Sequence, residues 1–287
     1  MMNRSEKTDA SDGTLSHGAR RSWLDGFLKR RPSVPPSELT QETLRESLPD
    51  QVLSERFGKV PVRLVEPRLL RRLIRSLMLG GPIWGSVPHR RGIVADRMLL
   101  AAETTPREVG YQELRWMDVP DVPHKMILLT TPDPETLRKN PPRQILIRYW
   151  RLLFHARLHL LLDEYEDLHP KNETRIARWL RRLGPTTFEE ASVVLEEDGF
   201  LLFPRRKDAV MNELLVRGAE LLYFDPALLP ICFPSLNVHD HLKPMLHEAF
   251  GDRHALEQLL KESRPAATTI LPETLPRPPV IPDEAVP

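Results

Sequence analysis

The apolar positions of the chain recur mostly with a helical rhythm. Behind Pro67, which suits a first helical position, Leu69, Leu70, Leu73, Ile74 and Leu77 keep a 3.6-residue spacing until Gly80-Gly81-Pro82. Ser37 is placed to cap a helix running towards Leu48, with Pro49 ending it. Pro141-Pro142 precede a long helix reaching about Leu168, and Asn172 can cap a helix from Glu173 to Leu183 that Gly184 stops. Thr187 with Glu190 reads as a capping box opening Phe188 to Glu197. Lys207 to Phe224 and Asp252 to Ser263 complete the helical segments. Strand signals are few, the best being Ile93-Val94 and Met126 to Thr130. The pattern predicts a mainly α fold: a single irregular helical domain over residues 37–263 with a minor β element.

The flanks differ. Residues 1–36 are polar apart from an amphipathic piece around Trp23, Leu24, Phe27 and Leu28, and are expected to be disordered or loosely docked. Arg264 to Pro287 holds seven prolines in 24 residues, which cannot sustain a helix or a central strand. It reads as an extended Pro-rich tail or linker, and a linker at that end raises the expectation of a longer chain.

Composition supports a folded body. Of 287 residues, 40% are apolar and 28% charged, enough to bury a core. No stretch reaches the ~18 uninterrupted apolar residues of a membrane span. The richest, Ile145 to Leu162, is broken by Arg148, Arg151, His155, Arg157 and His159. The N-terminus lacks the apolar core of a secretory signal. Cys232 is the single cysteine, so an intramolecular disulfide and any CxxC site are excluded. These features predict a soluble, cytoplasmic protein that does not enter a membrane.

Three features can carry chemistry. On the long helix, Gln144, Arg148, Arg151, His155, His159, Asp163 and Glu166 fall in one stripe, opposite Leu146, Trp150, Leu153, Leu160 and Leu161. His155 and His159 lie one turn apart, a spacing that lets two imidazoles share a divalent transition metal. The segment matches the zinc-protease helix HExxH in its histidines only, because Ala156 stands at the general-base position. Asp163 lies ~12 Å along the axis from His155 and cannot join the same ion, so a third ligand must come from elsewhere, with His239, His241 and His247 as candidates. The plainer expectation is a wet helix face or a polar seam against another helix. The arginines of the stripe sit towards the helix N-terminus and its acids towards the C-terminus, against the macrodipole, which suggests tertiary pairing.

Net charge is +1 but uneven: residues 1–100 hold 18 basic against 11 acidic residues. Much of the excess lies on the helix opening at Pro67, where Arg68, Arg71, Arg72 and Arg75 follow i, i+3, i+4, i+7 and line one face. Guanidinium forks match carboxylate and phosphate, so the partner expected here is an acidic protein surface or, alternatively, nucleic acid. A second series, Arg175, Arg178, Arg181 and Arg182, reads as an ordinary solvated face or as internal pairing. His239-Asp240-His241 with His247 and His254 is the third feature; Asp240 is a candidate N-cap there. PxxP spacing in the tail reads as a spacer. Phosphate-loop, dinucleotide and nucleophile-elbow signatures are absent.

The sequence therefore leads first to a non-enzymatic protein-interaction or scaffolding module using the basic face, with no cofactor. A metal-binding domain or metal-dependent enzyme built on His155 and His159 is the rival, and a weak nucleic-acid binder through Arg68–Arg75 the third reading.

Overall fold

The computed structural model describes residues 39–52, 58–78, 92–96, 125–168, 173–201, 206–251 and 253–266. The amphipathic N-terminal piece, Asn172, the Gly80–Gly85 loop and the PxxP tail lie outside them. In chain order come α1 (Gln41–Ser47), β1 (Gln51–Val52), β2 (Lys59–Val60), β3 (Val62–Val65), α2 (Pro67–Met78), β4 (Gly92–Asp96), β5 (Lys125–Thr130) and α3 (Pro134–Lys139). Then follow α4 (Pro142–Leu168), α5 (Glu173–Leu183), α6 (Pro185–Glu197), α7 (Lys207–Phe224), α8 (Leu229–Cys232), a π-helical turn over Val238–Leu242, α9 (Lys243–Phe250) and α10 (Arg253–Glu262). The fold is mainly α with a minor β element, as the periodicity predicts.

The small sheet runs β3-β5-β4, with β5 parallel to β3 and antiparallel to β4. Ile127 pairs with Val62 on one side and Val94 on the other, so one row of apolar side chains crosses all three strands. β5 is buried from Lys125 to Leu129, the continuous burial of a strand covered on both faces. α2 packs on β4 and β5 through a face that buries Leu69, Leu70 and Leu73. The opposite face meets α4, whose Ile145, Leu146, Tyr149, Leu153 and Leu160 share a core with Ile127 and Leu129.

α4 also faces away from the sheet. Its Phe154, Leu158 and Leu162 enter a second, larger core with Trp179 of α5, Val194 and Leu195 of α6, and Val210, Leu214 and Leu221 of α7. A 27-residue helix lying between two cores is apolar on most of its circumference, which is why its hydrophobic stripe is hard to define from sequence. α7 runs along it and comes close to the π-helical turn at Gly218, where a Cβ would lie 2.7 Å from Leu242 Cδ1. Among the described residues no helix is long and apolar enough to cross a membrane.

Several caps differ from expectation. Thr40 caps α1 in a reciprocal arrangement with Thr43, so the helix opens three residues after Ser37. α6 begins at Pro185 after Gly184 (φ 78°), whose left-handed backbone separates two helices. Thr187 and Glu190 do not form a capping box: both reach Ser235, Thr187 Oγ1 donating to its carbonyl at 3.4 Å and Glu190 accepting from its hydroxyl at 2.6 Å. Asn237, rather than Asp240, caps the π-helical turn, accepting from the backbone of His239 and Asp240.

Past α10 the chain stays in contact with the body. Arg264 stacks over Trp150 at 5.4 Å, Pro265 is buried, and the Ala266 amide donates to the Ser47 carbonyl at 2.7 Å. Trp150 Nε1 itself donates to the Leu260 carbonyl at 2.8 Å. A chain ending after Ser263 is therefore expected to melt several degrees below one ending after Ala266, at ~2–4 °C per kcal/mol for a domain of this size. Equal melting temperatures by scanning calorimetry would assign these three residues no stabilising role.

Candidate metal centre

Two helices build the centre. On α4, Arg151, His155 and His159 occupy successive turns of one face, and on α7, Glu213, Arg217 and Glu220 follow i, i+4, i+7. The two stripes meet where the helices pack. At its middle the α4 stripe is thus no wet face, although Arg148 nearer its start is exposed: His155 and His159 are 3% and 4% exposed, and Glu213 and Glu220 are buried opposite them. It is a polar seam between helices, and its apolar surroundings make each unmatched polar atom costly.

At the inner end, His155 Nε2 and His159 Nε2 lie 3.2 Å apart. The Glu213 carboxylate closes the triangle, Oε2 standing 3.0 Å from His159 Nε2 and Oε1 3.3 Å from His155 Nε2. Among the described residues this is the one group of three potential ligands that converges on a point. On the far side of its ring, His155 Nδ1 donates to Glu220 Oε2 at 2.9 Å. The other Glu220 oxygen accepts from Arg151 Nη2 at 2.7 Å and Arg217 Nη1 at 2.5 Å. Phe200 lies over the His155 ring, centroids 6.2 Å apart, and carries the Arg217 guanidinium on its own face at 4.7 Å.

Proton counting separates the two ends. Glu220 meets only donors, so every one of its contacts is matched. In the triangle of His155 Nε2, His159 Nε2 and Glu213, two Nε2–H groups can donate side by side to the two oxygens of the carboxylate. As placed, however, Glu213 Oε1 is buried with no hydrogen-bond partner among the described residues. A cation at the centre would take a lone pair from each of the three groups at once. The edges also suit such an ion: a tetrahedron with bonds of about 2.0 Å has edges of about 3.3 Å. Three protein ligands leave a fourth corner for water or substrate, the feature that separates reactive zinc sites from closed structural ones.

Without an ion, electrostatics organise the seam. Burial opposes charge on His155, but Glu213 and Glu220 outweigh it and raise its pKa to about 9. Burial likewise works against Glu213, yet His155 and His159 hold it down to about 2. Glu220 is held well below the usual carboxylate range by Arg217, Arg151 and His155 against its own desolvation.

The remaining candidates fall elsewhere. Asp163 bonds Lys125 Nζ at 2.5 Å, so it serves the start of β5 and not the histidines. Together with Arg151 on Glu220, this pairing accounts for part of the charge order that runs against the α4 dipole. His239, His247 and His254 are exposed and His241 half-buried, and none of them joins His155 and His159. The third ligand-type residue is Glu213, which the sequence reading did not single out. Its signal was present as Glu213, Arg217 and Glu220, the charged residues that interrupt at helical spacing the apolar run following Asp208. In the second arginine series, Arg178 and Arg182 pair with Glu248 and Arg175 stacks on Trp179 at 4.6 Å. In the basic face, Arg68, Arg71 and Arg75 are exposed with no ion-pair partner among the described residues, whereas Arg72 is half-buried and engaged.

The pKa directions fix how the metal-free seam responds to pH. His155 lies above its free value of 6.5, so its stabilisation is complete below that pH and is lost as pH rises through about 9. Glu213 lies below its free value of 4.5, so its stabilisation is complete above that pH and is lost as pH falls through about 2. The pair is strongest between pH 4.5 and 6.5. In chelator-treated protein, the stability difference between wild type and His155→Gln is expected to shrink as pH rises from 6.5 towards 9. A difference that denaturant titrations find constant over that range would mean that His155 carries no charge. No family model, curated protein or solved structure matches the chain, so the geometry of the seam is what bears on function.

Proposed function

We propose that this protein is a metal-binding domain that holds one divalent transition ion between α4 and α7, ligated by His155 Nε2, His159 Nε2 and the Glu213 carboxylate. The observation that carries the proposal is the buried triangle with edges of 3.0–3.3 Å, in which two imidazole nitrogens and a carboxylate converge and Glu213 Oε1 has no hydrogen-bond partner among the described residues. Two imidazoles and a carboxylate suit zinc, iron(II) or manganese(II), the borderline to hard members of the first row.

Elemental mass spectrometry of protein purified without chelator or affinity histidines is the test. Near-stoichiometric zinc, iron or manganese is expected, and it should vanish in His155→Ala and in Glu213→Ala. Chelation should lower the melting temperature of the wild type, since an ion that binds only the folded chain stabilises it by mass action. Less than about a tenth of an equivalent, with no rise in melting temperature when zinc is added to stripped protein, would overturn the proposal.

A second reading rests on a separate surface. Arg68, Arg71 and Arg75 point outward from a helix whose other side is committed to the sheet, which supports docking of an acidic protein segment. Poly-glutamate should bind the wild type and not the triple charge reversal R68E/R71E/R75E, with the melting temperature unchanged. Preference for a DNA duplex, with affinity falling steeply in salt, would transfer the face to nucleic acid. Absence of binding to either would remove the reading.

A further inference from the structure

We infer that Glu220 is the positioning residue of this centre, acting through His155 and never touching the ion. The inference rests on the metal-binding reading and deepens it. Glu220 Oε2 takes the proton on His155 Nδ1 at 2.9 Å, on the side of the ring away from His159 and Glu213. That bond keeps a proton on Nδ1, so the lone pair stays on Nε2, and it fixes the rotation of the ring about its axis. Metal-ligating histidines in general depend on such a partner for tautomer, orientation and basicity.

The partner is itself held. Arg151 reaches Glu220 Oε1 through both Nε at 3.0 Å and Nη2 at 2.7 Å, and Arg217 reaches the same oxygen at 2.5 Å. Two guanidinium groups on one oxygen leave the other free for His155 alone. They also keep the carboxylate ionised in a buried setting, where an unpaired one would take up a proton. The relay therefore runs from the half-exposed Arg151 inward through Glu220 and His155 to the triangle. Among the described residues no carboxylate bonds His159 Nδ1 in the same way, so Glu220 acts on one ligand only. This asymmetry makes the effect of Glu220 separable from that of the ligands.

Cobalt(II) titration of chelator-stripped protein reads both affinity and coordination. The Glu220→Gln chain keeps an acceptor for Nδ1–H but loses the charge, and its cobalt affinity is expected to fall about 10–100-fold with a changed visible absorption spectrum. A role confined to folding would lower stability and leave that spectrum unaltered. Wild-type protein that binds neither cobalt nor zinc would sink the metal reading itself. Wild type that binds, beside a folded Glu220→Gln with the same affinity and spectrum, would overturn the role of Glu220 alone. If Glu220→Gln does not fold, Arg151→Gln decides: it loosens Glu220 from the half-exposed side, and unchanged affinity and spectrum there would overturn the inference.

Discussion

A long helix enclosed by protein on both sides must match every polar group it carries, and α4 is such a helix. From Leu152 to Leu160 every residue is buried, yet His155, Arg157 and His159 lie within that stretch. Each of them would cost several kcal/mol if left without a partner. The surrounding elements are arranged to supply those partners. Arg157 donates to Gln51 at the start of β1 and pairs with Glu262 at the end of α10. His155 and His159 take their partners from α7. The register of α7 against α4 is set by this matching, since a slide of one turn would put Ala209, Val210, Val216 or Arg217 in the place of Glu213.

The same helix unites the two cores. Its sheet-facing side contributes Ile145, Leu146 and Leu153, and its other side Phe154, Leu158 and Leu162. Tyr149 ties it to the end of β5 through the Thr130 carbonyl, and Lys125 to Asp163 ties it to the beginning. The strand and helix are thereby clamped at two points more than three helical turns apart. A rigid backbone on one side of the seam is what lets three side chains converge within hydrogen-bonding distance.

Much of this was legible in the residues, and what was missed has physical reasons. α2, α4, α5, α7 and α10 stand within about three residues of the ends their periodicity and caps predict, because long apolar rhythms and proline or glycine stops are local signals. The Thr187 and Glu190 pattern misled because both side chains found a better use on Ser235, 45 residues or more away, and no local rule sees that distance. β3 escaped notice because Val62-Arg63-Leu64-Val65 is a strand only through its pairing with β5. The histidine pair was visible as spacing, but its burial was not, since a stripe of mixed charge usually faces water. Glu213 could have been found by asking why α7, apolar almost throughout, keeps Glu213, Arg217 and Glu220 on one line. Two polar stripes on two otherwise buried helices imply each other.

Stability alone is a weak reason for such a seam. Replacing a buried ion-pair network by apolar side chains of similar volume is often neutral or stabilising, so six charged or titratable groups between two helices call for another explanation. The arrangement itself is lopsided in an informative way. Around Glu220 both oxygens accept from donors, as a purely structural network requires. Around Glu213 the matching is incomplete: two nitrogens and a carboxylate converge, yet Glu213 Oε1 is buried with no hydrogen-bond partner among the described residues. A helix pair shaped only to bury charge has no need to hold an imidazole in one orientation. His155 is prevented from turning by Glu220, and Glu220 by two arginines. The matched half of the seam thus enforces the unmatched half, which is the relation between supporting contacts and a preorganised ligand site.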